Sequence, residues 1–435
     1  MRTAIIGVAV ILGGLAGGVQ PATAASETIV HAFTGPPDAI NPTTGLAEGP
    51  DGFFYGTTNH GGTGGYGIKS GAIYQLKPPT VGHPAWTYSV IWNFKGGANG
   101  SWPNGPLVFA ADGTGYGVAL QGGDTTDCNQ GCGVAYSIVP PAPGKKLGVY
   151  RVIHKFHSAA GSSPIGALTF DGAGNLYGST MYGGGDNYCT GDKGGCGVIF
   201  RLNKPAMGKL AWPQTTLYRF QHALGAVPNG GLVFDATENA LFGTAQGGGT
   251  SPLDGVVFRL SKPAPGHAAW GYTVLHNFTG KDHADGSDPT AGLTFDSSGN
   301  LYGTTQYGGS TNCNNGCGIV FKLDSGTLSY SIVRTFTDQP DGRGPISGLV
   351  YDGTALYGTT EYGGSSTCGI GCGTVYKITL SPSVSYSQLN KFVNNGGSID
   401  PQFGPLVKMD ANTLLGTAQA GGGPFDGTVY SLAVP

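Results

Sequence analysis

A hydrophobic residue joined to glycine recurs seven times along the chain, at Tyr55-Gly56, Tyr116-Gly117, Tyr177-Gly178, Phe242-Gly243, Tyr302-Gly303, Tyr357-Gly358 and Leu415-Gly416. The spacings are 61, 61, 65, 60, 55 and 58 residues, and each step follows a turn aspartate and precedes a pair of glycines. So regular a period indicates a repeat architecture. Each unit holds four short runs of β-branched and aromatic residues bounded by turn formers, as at 292 to 296, 300 to 305, 318 to 323 and 331 to 336. Four strands in each of seven units predict an all-β fold, a seven-bladed β-propeller of four-stranded blades. Residues 28 to 33 match the fourth run and residues 427 to 432 the third. The N-terminal strand is therefore expected to complete the last blade and close the ring, removing an exposed sheet edge.

Other repeated positions have structural explanations. Phe33, Phe94, Phe156, Phe220, Phe278, Phe336 and Phe392 end the fourth runs and are expected to pack between blades. Seven prolines, from Pro42 to Pro401, fix the entry into each first run. Seven aspartates, from Asp51 to Asp410, each stand alone in a hairpin, which suits capping of turn amides better than calcium binding. Trp86, Trp212 and Trp270 end long outer loops and are expected to pin them. His31, His154 and His276 share a position with Trp92, Tyr218, Arg334 and Asn390, an interchange that suggests a surface site. The first and seventh units place Glu48 and Lys408 where the others carry an aromatic, and these two are expected to meet at the closing seam.

Composition places the chain outside the cytoplasm. Residues 1 to 24 read as a cleaved secretory signal, with Arg2, an apolar stretch from Ala4 to Val19 and Ala22-Thr23-Ala24. Residues 25 to 435 then form a single domain, secreted to the extracellular space or the periplasm, with no membrane insertion. The eight cysteines fall as Cys128/Cys132, Cys189/Cys196, Cys313/Cys317 and Cys368/Cys372, and this clustering favours four local disulfides. No histidine repeats beside the pairs, so zinc is disfavoured, and nothing calls for a cofactor. With 22 basic against 25 acidic residues and no basic cluster, nucleic acid and anionic membrane are poor partners. A monomer is expected.

Ligand chemistry is expected on the face that gathers the proline loops and the cysteine pairs. Beyond the repeated step, two adjacent positions carry Asn59, His60, Gln121, Tyr182, Gln246, Gln306, Tyr307, Glu361, Tyr362 and Gln419 in the different units. Amides beside tyrosine rings suit sugar recognition, since hydroxyls need bidentate partners and the apolar sugar face needs a ring. Glu361 stands at the mouth of that face, and Asp341 or Asp288 from the proline loops could oppose it as a carboxylate pair for glycoside cleavage. No serine-nucleophile elbow, zinc-protease motif or phosphate loop is present.

The run Gly-Leu-Thr-Phe-Asp-Ser-Ser-Gly-Asn-Leu-Tyr-Gly-Thr-Thr-Gln-Tyr-Gly-Gly (292 to 309), followed by Gly-Ile-Val-Phe-Lys-Leu, resembles the GloVer tandem repeat of exported bacterial proteins. The resemblance covers essentially the whole chain after the leader and implies export. Proteins of that family often carry a C-terminal surface anchor, and none is expected after the last strand here. It implies no catalytic residues. The leading expectation is a secreted, non-catalytic propeller that binds a glycan or surface protein through the cysteine-bearing face. A glycoside hydrolase or polysaccharide lyase is the alternative, and a purely structural repeat protein the third.

Overall fold

The computed structural model describes residues 25–434 apart from 64–69, 186–188, 190–193, 251–253, 281–284, 395, 402–403 and 423–425. Seven antiparallel sheets stand in a ring, and no α-helix occurs among the described residues. Blades are numbered here by their second strands: Phe54–Thr58, Gly115–Gln121, Leu176–Tyr182, Ala240–Ala245, Leu301–Thr305, Ala355–Thr360 and Thr413–Ala418. In blade five the order is Thr294–Phe295, Leu301–Thr305, Ile319–Leu323 and Tyr330–Thr335. In blade seven the outermost strand is Glu27–Ala32, paired antiparallel with Thr428–Ala433 so that Thr28 faces Ser431.

One packing unit, repeated at every blade interface, accounts for the hydrophobic-glycine step. The glycine of each second strand sits opposite an aromatic of the third: Gly56 with Tyr74, Gly178 with Phe200, Gly303 with Phe321, Gly416 with Tyr430. The ring folds over the glycine Cα and occupies the space of a Cβ, which at Gly303 would lie 2.5 Å from Phe321 Cζ. The same ring receives the phenylalanine that ends the preceding blade's fourth strand. Phe33 meets Tyr74 at 5.4 Å, Phe156 meets Phe200 at 4.9 Å and Phe392 meets Tyr430 at 5.1 Å. All seven of these phenylalanines are fully buried. Aromatic edge contacts of this kind join one blade to the next around the ring.

The hairpin aspartates cap their own turns, as Asp296 does with the amides of Ser298 and Asn300 at 2.9 Å. Four of them also accept from the tyrosine of the step, for example Tyr55 to Asp51 at 2.6 Å. Trp212 and Trp270 lie against Tyr116 and Tyr177 of the preceding blade.

Two expectations are corrected. The position of His31, His154 and His276 is an interblade seam and not a free surface. His31 stacks on Tyr88 with centroids 3.5 Å apart, and Trp92 stacks on Tyr150, Tyr218 on Tyr272 and His276 on Tyr330. His154 binds Gln214, Arg334 lies over Tyr386, and Asn390 reaches Glu27. Side chains as different as His, Trp, Arg and Asn interchange there because each matches its partner on the next blade. A β-bulge between the third and fourth strands precedes the seam residue in every blade, as between Val320 and Phe321, and such bulges re-aim side chains.

The second correction concerns Glu48 and Lys408, which do not meet. Residues at this first-strand position turn toward the preceding blade, as Phe109 does to Tyr55 at 4.8 Å. Lys408 accordingly reaches back to blade six, where its Nζ lies 2.7 Å from Asp352 Oδ2. Glu48 is exposed. Two side chains that point the same way around a ring cannot pair across one seam.

Candidate functional site

Each blade reaches the rim of the cysteine-bearing face through one left-handed residue set directly before the repeated proline. These residues are Asn41, Trp102, Ser163, Val227, Asp288, Gly344 and Asp400, with φ between 54° and 66°. The conformation is unfavourable for most side chains, least so for Asn and Asp, and it is maintained by hydrogen bonds on both sides. The N–H donates to the previous blade: Ser163 to the Cys132 carbonyl, Val227 to Cys196, Gly344 to Cys317 and Asp400 to Cys372. The carbonyl accepts from the end of the second strand in its own blade, as Asp288 does from the Gln306 amide at 3.0 Å and Asp400 from the Gln419 amide at 3.0 Å. The four disulfides, Cys128–Cys132, Cys189–Cys196, Cys313–Cys317 and Cys368–Cys372, all form. They brace the loops whose carbonyls hold these rim residues.

This construction places two side chains per blade beside the axis. On blades four to six several of these are polar and lie close to one another. Gln306 Nε2 lies 3.5 Å from Glu361 Oε2, Tyr362 stands beside Glu361, and Gln246 stands by the Asp288 carboxyl, whose Oδ1 is buried without a hydrogen-bond partner among the described residues. Burial pushes the Asp288 carboxyl up to about 6, against a smaller opposing effect of Gln246. Burial also raises Tyr307, aided by the negative charges of Asp288 and Glu361. Burial and the adjacent Glu361 hold the Tyr362 phenol well above its ordinary range, with Asp400 and Tyr307 adding to the effect. Arg343 lies over the Tyr362 ring at 5.4 Å, and its Nε stands 3.9 Å from Asp338. Glu361 itself is buried at 5% exposure.

Blades one to three present a different arc. His60 meets Trp102 edge-on at 5.5 Å, and burial lowers the imidazole pKa. Gln121 faces Ser101 and Tyr182 faces Ser162 across the inner ladder. Leu120 and Met181 stand where blades four to seven carry Gln246, Gln306, Glu361 and Gln419. Both line a cavity of about 490 Å³ to which every blade contributes wall.

Of the residues read from sequence, Gln306 and Tyr362 gather at Glu361, Gln246 stands by Asp288, and Tyr307 feels the charge of both carboxyls. Asn59, His60, Gln121, Tyr182 and Gln419 hold equivalent rim positions on the other blades. Asp341 is placed elsewhere: it is buried in the seam between blades five and six, 2.8 Å from Arg334, and accepts from the Thr337 amide. Sequence reading missed Asp400, Arg343, Trp102, Leu120 and Met181. The Asp-Pro dipeptides at 288 and 400 were the available signal for the first of these. Among the described residues no group of three or more His, Cys, Asp or Glu could hold a metal ion, and no helix is long and apolar enough to cross a membrane.

The model of the Gloeobacter/Verrucomicrobia repeat matches residues 14–190, 185–371 and 267–435. Comparison with curated proteins gives no match. Among solved structures, a GH74 enzyme from Niastella koreensis aligns with TM-score 0.55 at 12% identity, over 93% of this chain and 53% of that one. An ancestral GH74 enzyme aligns with TM-score 0.54 at 11% identity, over 94% and 51%. The oligogalacturonate lyase of Vibrio parahaemolyticus aligns with TM-score 0.51 at 11% identity, over 95% and 98%. This chain thus spans about half of either GH74 enzyme, and at these identities the likeness is one of fold.

Proposed function

We propose that this chain, which belongs to the Gloeobacter/Verrucomicrobia repeat family, is an exported protein that binds a glycan at the rim of its cysteine-bearing face without cleaving it. The observation that carries the reading is the group on blades four to six, where Gln306 and Tyr362 engage Glu361 and Gln246 stands by the buried Asp288 carboxyl beside the axis. Amide and carboxylate pairs can bridge vicinal hydroxyls, and the rings of Tyr307 and Tyr362 offer faces for the apolar side of a sugar. Glu361 is buried and already engaged by Tyr362 and Gln306, which suits a fixed acceptor better than a base that must face a reacting water. Four disulfides support an oxidising compartment.

The state of Asp288 favours hydrolysis as a second reading. A carboxyl that titrates at about 6 keeps its proton in mildly acidic solution and could pass it to a glycosidic oxygen. A water would add to the anomeric carbon while its proton passes to Glu361, giving two free hydroxyl ends. A polysaccharide panel scored for both retention and release of reducing ends separates the readings. Binding without release, weakened at least tenfold by Glu361→Gln, supports the first. Release of ends abolished by Asp288→Asn would replace it with the second, and silence in both assays would reject both.

A further inference from the structure

The cavity on the ring axis is built from two kinds of wall that the rim does not share. Leu120 and Met181 make one side of its mouth apolar, where the equivalent positions on blades four to seven are polar. Deeper, the residues that directly follow the repeated prolines form a collar that includes Thr43, Asn104, Asn229 and Thr290. Thr43 and Thr290 are only 7% and 6% exposed, and neither hydroxyl has a hydrogen-bond partner among the described residues. Both oxygens are closed off from solvent, so these threonines do not offer a hydroxyl to the cavity, and the polar side chains of the collar are Asn104 and Asn229. The volume of about 490 Å³ falls in the range of small-ligand sites and suits one sugar residue with its linkage.

We infer that the axial cavity receives the terminal residue of the bound glycan, and that this residue carries a methyl group where a common hexose carries a hydroxymethyl. The inference rests on the glycan reading of the rim. A chain crossing the face sideways would leave the cavity unfilled, whereas a chain end can turn into it. Its ring hydroxyls meet Asn104 and Asn229, and its methyl group meets Leu120 and Met181. A fully hydroxylated hexose would bury one hydroxyl against those apolar side chains without a partner.

The test uses the full chain after its leader and two matched pairs of methyl glycosides: L-fucoside against L-galactoside, and L-rhamnoside against L-mannoside. Affinities are read by calorimetry. At least one 6-deoxy sugar is expected to bind tighter than its partner by about fourfold or more, the factor carried by one buried methyl group. The same sugar should displace the polysaccharide found on the panel. Asn104→Ala and Asn229→Ala should each weaken the sugar at least fivefold, whereas Thr43→Val and Thr290→Val should leave its affinity unchanged, since their oxygens are closed off from the cavity. Met181→Trp, which fills the mouth, should abolish sugar binding. Polysaccharide retained with unchanged affinity by Met181→Trp, and not displaced by any of the four glycosides, would overturn the cavity inference while leaving the rim reading intact. Absence of binding by any polysaccharide or glycoside would overturn both.

Discussion

Gly303 lies so close beneath the ring of Phe321 that a Cβ on it would stand 2.5 Å from Cζ, and the ring in turn packs against Phe278 of the preceding blade at 5.3 Å. Gly303→Ala therefore has to move an aromatic that two blades share. A loss of about 1–3 kcal/mol is expected, the usual range for overpacking, measured by urea unfolding. Gly271→Ala is the control, because nothing lies within 4 Å of its Cβ position; it should leave stability unchanged or slightly raised. Equal effects of the two substitutions would refute the packing account.

The aromatic over the glycine is Phe in blades three to five and Tyr in the others. Tyr74, Tyr136, Tyr376 and Tyr430 are fully buried, and their hydroxyls have no hydrogen-bond partner among the described residues. Tyr136→Phe should thus stabilise the fold by about 1 kcal/mol, seen as a higher melting temperature. A fall would show that the hydroxyl is satisfied.

Lys408 and Asp352 join blades seven and six at 2.7 Å. Burial would raise the Asp352 carboxyl, but the Lys408 hydrogen bond and the turn amides of Thr354 and Ala355 outweigh it and hold the group well below the ordinary carboxylate range. A group depressed in this way stabilises the fold above its unfolded pKa, near 4, and loses that contribution as pH falls through the folded value. Lys408→Met should cost about 1–2 kcal/mol at pH 7, with the deficit shrinking in strong acid. Glu48→Gln should be within about 0.5 kcal/mol of neutral.

Asp288 has the opposite sign. Its folded carboxyl titrates at about 6, above the unfolded value, so the folded state holds the proton more tightly. Stability is then greatest below about pH 4 and falls as pH rises through 6. Asp288→Asn removes this dependence and also suits the left-handed backbone at φ 61°. A gain of up to about 3 kcal/mol at pH 8, absent at pH 4, is expected in paired thermal melts. A pH-independent effect would reject the assignment.

The pairing of Glu27–Ala32 with Thr428–Ala433 joins the two ends of the chain in one sheet. Deleting residues 25 to 34 removes that strand together with Phe33, which packs on Tyr74 of blade one. The melting temperature should drop by more than 10 °C, on the order of several kcal/mol for a lost strand and a buried aromatic. An unchanged melt would show that blades one and seven hold together without it.

The legible part of this protein was whatever repeats. Period, strand count, seam phenylalanines and paired cysteines each appear seven or four times, and repetition turns a weak local signal into a firm one. Less legible were positions whose meaning depends on a neighbour from another blade. His31, Trp92 and Arg334 looked like surface variation because their partners Tyr88, Tyr150 and Tyr386 lie more than fifty residues further on. Asp341 and Asp288 both come from proline-loop segments, yet one is neutralised by Arg334 in a seam and the other is desolvated at the rim.

By itself the sequence determined the number of blades, the turn chemistry and the local disulfides, because glycine, proline, aspartate and closely spaced cysteine act over a few residues. Only the tertiary structure decided which way a first-strand side chain points around the ring, which carboxyl is raised by burial, and that Leu120 and Met181 open an apolar side to the axis. Those properties arise from direction, desolvation and enclosed volume, and these exist only once all seven blades stand around one axis.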